Sequence, residues 1–109
     1  MIRLHYYPGN ASLVAHVLLE ELGVPYELAL VDRSVDAQNS PAYLKLNPTG
    51  RIPVLEDGEL VVFETAAIVL HLLDAHAATA TPLMPPVGTP ERARFYQWLQ
   101  RWPSIPANR

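Results

Sequence analysis

Along residues 2–7, Ile2, Leu4 and Tyr6 alternate with Arg3 and His5, the period-two pattern of a strand, and Pro8-Gly9-Asn10 supplies the turn that ends it. From Ser12 to Leu22 the period changes. Leu13, Val14, Val17, Leu18 and Leu22 recur at helical spacing opposite His16, Glu20 and Glu21, and Gly23 stands where a left-handed terminal residue belongs. After Val24-Pro25, residues 26–31 predict a second strand; residues 32–40 are polar, and residues 41–46 suit a short helix. Asn47-Pro48-Thr49-Gly50 is turn chemistry, and Ile52-Pro53-Val54-Leu55-Glu56 reads as a strand interrupted by proline. Asp57-Gly58 closes a hairpin with Leu60-Val61-Val62-Phe63 as its second arm. Glu64-Thr65 then opens a helix with Ile68, Val69, Leu72 and Leu73 on its apolar side, ending near His76. The predicted order is β-α-β-α-β-β-α.

Past His76 the periodicity disappears. Residues 77–90 are rich in Ala, Thr and Pro and read as a linker, centred on 81–89. Thr89-Pro90-Glu91 then places an N-cap, a first-turn proline and an acid in order, and Phe95, Trp98, Leu99 and Trp102 form an apolar stripe. Pro103 and Pro106 stop this helix, so the stripe has no following helix to pack against. The expected organisation is an α/β domain over 1–80, a linker over 81–89, and over 90–109 the first helix of an incomplete all-helical domain.

Composition narrows the chemistry. The 109 residues suffice for one modest core. Eight basic against eleven acidic residues leave a net charge of -3, which gives nucleic-acid backbones no broad attraction. With no cysteine, disulfides, thiolate zinc sites, iron–sulfur clusters and redox chemistry on the protein's own thiols are excluded. The N-terminal residues lack a signal peptide's apolar stretch, and no apolar run nears the roughly 18 residues of a membrane span. A soluble, cytoplasmic protein without membrane or nucleic-acid partners is expected. The four histidines, His5, His16, His71 and His76, include no pair at the i, i+4 helical spacing that puts two ligands on one face, so no metal site is expected.

Three stretches carry a family resemblance: Tyr6-Tyr7-Pro8-Gly9-Asn10-Ala11-Ser12, Asn47-Pro48-Thr49-Gly50-Arg51-Ile52-Pro53-Val54-Leu55 and Phe63-Glu64-Thr65-Ala66-Ala67-Ile68. In this order and spacing around the hairpin, they resemble the thioredoxin-like N-terminal domain of cytosolic glutathione S-transferases over residues 1–80. Residues beyond 89 resemble the start of that family's helical C-terminal domain. The resemblance implies a mixed four-stranded sheet. The first stretch looks most like the bacterial branch reading Pro-Gly-x-Cys-Ser, with Ala11 at the cysteine position, which disfavours disulfide exchange with glutathione.

The resemblance also implies a site for glutathione as co-substrate, with a small electrophile as its reaction partner. Pro53 matches a cis proline that turns the main chain of Ile52 towards the cysteinyl unit. Thr65, at a helix N-terminus, reads from sequence alone as a helix cap and, through the resemblance, as the partner of the γ-glutamyl carboxylate, while Glu64 suits the ammonium. Arg51, with Lys45 and Arg33 as alternatives, suits the glycyl carboxylate. Ser12 is the first candidate to stabilise the thiolate, followed by Tyr6 and Asn10; Ser12 also suits the N-cap of its helix. The expected function is activation of the glutathione thiol for attack on an electrophile, impaired by the missing helical domain. The alternatives are a non-catalytic scaffold or interaction module and a shortened gene product; a homodimer could cover the stripe.

Overall fold

The computed structural model describes residues 1–9, 11–76 and 85–101, with side chains of the last helix described to Gln97. Four strands, β1 (Ile2–Tyr6), β2 (Tyr26–Leu30), β3 (Val54–Asp57) and β4 (Leu60–Phe63), form one sheet in the order β2-β1-β3-β4. β1 runs parallel to β2 and antiparallel to β3, and β3 runs antiparallel to β4. The helices are α1 (Ser12–Leu22), α2 (Pro41–Leu46), α3 (Thr65–His76) and α4 (Pro90–Arg101). The polar stretch after β2 folds into two short 3-10 turns, Arg33–Val35 and Ala37–Asn39. This is the mixed four-stranded, thioredoxin-like arrangement that the resemblance implies. Asn10, residues 77–84 of the expected linker, and Trp102 with the following tail lie outside the described residues.

The sheet separates two apolar clusters. On one face Ile2, Leu4 and Leu55 pack against Ala15 and Leu19 of α1 and Ile68 and Leu72 of α3. On the other, Val31, Ile52 and Val54 pack with Tyr43 of α2. Val54 and Leu55 are both 0% exposed, because β3 lies inside the sheet and each of its faces meets a cluster.

α1 has its predicted limits, and Gly23 ends it at φ 68° with its N–H on the carbonyls of Leu19 and Glu20. Its buried face differs from the predicted one. Ser12, Ala15 and Leu19 point into the core, while Leu13 and Val17 are exposed. Ala15 allows the close approach to the sheet that a larger residue would prevent, and the bulky residues turn outward. Val14 and Leu18 instead meet Val69, Leu73 and Phe95, which ties α4 to the outer side of α1 and α3. The N-cap residue is Ala11, without a side-chain bond, so Ser12 is not the cap. α4 starts as predicted, with the Thr89 hydroxyl accepting from the Arg92 N–H. Of the aromatic stripe, only the side chain of Phe95 is among the described ones.

Candidate functional site

Register brings three sequence-distant segments to one end of the sheet. His5 pairs with Val54, and Val54 with Phe63. The residues one step beyond, Tyr6 on β1, Pro53 before β3 and Glu64 after β4, therefore lie side by side. α1 and α3 both begin at this end, so the positive ends of two helix dipoles face the same region.

The Ile52–Pro53 peptide is cis, as the resemblance implied. Both residues are buried, and among the described residues neither main-chain polar group of Ile52 has a hydrogen-bond partner. Two side chains fix the approach to this segment. The Tyr43 hydroxyl donates to the Arg51 carbonyl at 2.6 Å, and Asn47 Nδ2 donates to the same oxygen at 3.0 Å. Asn47, 1% exposed, also accepts from the N–H and hydroxyl of Thr49, closing the Asn-Pro-Thr-Gly turn. Gly50 follows at φ 69°, where a Cβ would stand 2.9 Å from Asn39 Oδ1. Arg51 itself is exposed, so its guanidinium is accessible to an anion while its carbonyl is held.

Thr65 is the first residue of α3 and is buried. Glu64 occupies the cap position, its carbonyl accepting from Ile68 N–H, so Thr65 is not the cap; among the described residues its hydroxyl has no partner. Glu64 has φ 77°, a left-handed conformation that costs a residue with a Cβ about 1–2 kcal/mol. Such a cost is sustained where surrounding structure dictates the geometry, commonly at a binding site.

Ser12 is 2% exposed and clasped to the main chain of Tyr7: its Oγ accepts from Tyr7 N at 3.1 Å and lies 3.0 Å from Tyr7 O, to which it donates. The hydroxyl shapes the loop between β1 and α1 and is not standing open. Tyr6 is half-buried against the core, and its carbonyl accepts from Val31 N–H; among the described residues its hydroxyl has no partner. The Arg33 guanidinium lies 5.9 Å from the centre of the Tyr7 ring, at the rim of this region. Lys45 is exposed on α2. The residue pattern marks Asn47 as a turn former but gives no sign of the bonds from Tyr43 and Asn47 to Arg51, since a side chain bonding a main-chain oxygen leaves no periodic trace.

A second polar cluster lies at the opposite end of the sheet. His71 and His76 each place Nε2 on the same Asp57 Oδ2, at 2.8 and 2.7 Å. Hydrogen bonds from His76 and His71 hold the Asp57 carboxyl below its ordinary range. Helical spacing between the histidines does not reveal this grouping, because its third member comes from the end of β3.

The family model for the glutathione S-transferase N-terminal domain matches residues 2–74, and the chain belongs to that family. Over 100 residues it is 34% identical to maize (Zea mays) glutathione S-transferase 3, covering 91% of this chain and 44% of the maize protein. It is 36% identical over 101 residues to the dichloromethane dehalogenase of Methylorubrum extorquens, covering 91% of this chain and 34% of the dehalogenase. A crystal structure of a glutathione transferase homologue from Lodderomyces elongisporus with two glutathione molecules per subunit superposes with a TM-score of 0.84 at 30% identity, covering 92% of this chain and 49% of that one. The chain thus spans less than half the length of these relatives. No helix among the described residues is long and apolar enough to cross a membrane.

Proposed function

We propose that this chain binds glutathione at the end of the sheet defined by Tyr6, Pro53 and Glu64, and that it promotes ionisation of the glutathione thiol for attack on a small electrophile. The observation that carries the reading is the unpaired main chain of Ile52 beside the N-terminus of α3. An extended peptide ligand needs such an edge, and a carboxylate needs such a helix end. Thr65 meets the γ-glutamyl carboxylate, Glu64 the neighbouring ammonium, and Arg51 the glycyl carboxylate. The donor set fits the ligand at both ends.

Thiolate stabilisation needs a donor near the α1 N-terminus. To serve, Ser12 must release the Tyr7 carbonyl, a cost of about 1 kcal/mol for an ordinary hydrogen bond. Tyr6 carries no such cost and stands beside Ser12 as the second donor; Asn10 completes the proposed set. Residues 1–80 form the glutathione-binding unit, and the helix from residue 90 begins a second, helical unit. The clasp of Ser12 on Tyr7 supports a second reading, in which the site is a scaffold and no thiol is activated.

The discriminating experiment is a pH titration of thiolate absorbance for glutathione bound to the protein. Activation predicts an apparent thiol pKa below the free value of about 8.5. An unshifted thiol in the saturated complex supports the scaffold.

A further inference from the structure

We propose that Asp57, His71 and His76 form a binding site for zinc, remote from the glutathione end of the sheet and independent of its function. The three ligand atoms lie within 4.8 Å of one another, and each imidazole Nε2 already approaches Asp57 Oδ2 closely. In a tetrahedral site with bonds of about 2.0–2.2 Å, neighbouring ligand atoms stand about 3.3 Å apart. Seating an ion requires the two 2.7–2.8 Å contacts to open by about half an ångström and the two imidazole nitrogens, no more than 4.8 Å apart, to come to the same spacing.

Donor chemistry selects the metal. Two imidazole nitrogens and one carboxylate suit zinc among first-row ions, whereas calcium and magnesium require mainly oxygen ligands. His71 and His76 sit about 140° apart around the helix axis, and no common helical face joins them. They converge because Asp57, at the end of β3, reaches between them, and because His76 is the last residue of α3. A cation at that point also meets the negative end of the α3 dipole.

The surroundings allow a complete coordination sphere. All three ligands are partly exposed, 22–24% by side chain. Asp57 and His76 line a cleft of about 410 Å³ with Met1, Ile2, Val24 and Pro25. That cleft leaves room for water as the fourth ligand. His5 and His16 have different commitments, His5 to Glu56 at 2.6 Å and His16 to the Tyr26 hydroxyl at 3.1 Å, so neither competes as a three-ligand site. Once bound, the ion ties the C-terminus of α3 to the turn end of the β3–β4 hairpin.

The test is calorimetric titration of the 109-residue chain, freed of metal with a chelator, with zinc chloride, accompanied by thermal melting. Equimolar saturable binding is expected, with a raised melting midpoint and no response to calcium or magnesium. His71→Gln and His76→Gln should each weaken binding by about tenfold or more, and Asp57→Asn likewise. To avoid dependence on variants that fold poorly, imidazole nuclear magnetic resonance signals of the unaltered chain are followed in the same titration. His71 and His76 should shift together at one equivalent while His5 and His16 stay in place. Absence of saturable binding at millimolar zinc, or binding that leaves His71 and His76 unshifted, overturns the proposal.

Discussion

The Tyr43 hydroxyl donates across 2.6 Å to the main-chain oxygen of Arg51, so a buried side chain of α2 fixes the segment immediately before Ile52. The binding edge is thereby set from outside itself. Asn47 adds a second donor to the same oxygen, and Tyr43 packs on the face of the sheet that carries Val54. Tyr43→Phe keeps the ring packing and removes one donor, so a loss of about 1 kcal/mol is expected in urea unfolding. The affinity for glutathione should fall with it, because the Arg51–Ile52 segment loses one restraint.

Alkaline unfolding offers an independent check on the same residue. Burial holds the Tyr43 phenol well above its ordinary value of 10.0. Below pH 10 the folded and unfolded chains both keep the proton; above it the unfolded chain releases it while the folded chain does not, so stability falls as pH rises. Phenolate absorbance should show Tyr43 ionising only with unfolding. In Tyr43→Phe this part of the alkaline loss should be absent.

Ser12 and Tyr6 are separable by stability. Ser12→Ala removes both bonds to the partly buried main chain of Tyr7 and should cost about 1–2 kcal/mol in unfolding free energy, whatever its effect on the thiol. Tyr6→Phe removes a hydroxyl with no partner among the described residues and should leave the unfolding midpoint close to that of the unaltered chain. If Tyr6 is the working donor, the thiol of bound glutathione should rise in pKa in Tyr6→Phe alone.

The left-handed Glu64 makes a contrasting pair of substitutions informative. Glu64→Gly relieves the strain at φ 77° and should match or exceed the original stability, by up to about 1 kcal/mol after the entropy of the unfolded glycine is offset. Glu64→Ala keeps the strain and brings no such gain. Both remove the carboxylate, and both should weaken glutathione binding, which a thermal melt and a titration separate cleanly.

Much of this architecture was legible in the residues. Gly23 marked the end of α1, the alternation of Ile2 and Leu4 marked β1, and the Asp57-Gly58 pair marked the hairpin, because each is a local signal. The buried face of α1 was not legible. That helix carries apolar residues towards both the sheet and α4, so periodicity alone cannot choose Ala15 and Leu19 over Leu13 and Val17. Ile52, Glu64 and Thr65 entered the proposed site through the resemblance. Tyr43 and Asn47 did not, since their bonds reach a main-chain atom eight and four residues away and depend on no feature of Arg51 itself. The N-cap alternative for Ser12 failed for a related reason: its hydroxyl bonds the main chain of Tyr7, five residues earlier, and Ala11 takes the cap position.

The central claim is a glutathione site built from Ile52, Glu64 and Thr65, and calorimetric titration with reduced glutathione tests it most directly. The account predicts saturable binding to the folded chain that disappears in the Glu64→Ala, Thr65→Ala double variant while circular dichroism stays unchanged. Absence of heat at millimolar glutathione from a folded chain, or equal binding by the double variant, would contradict it.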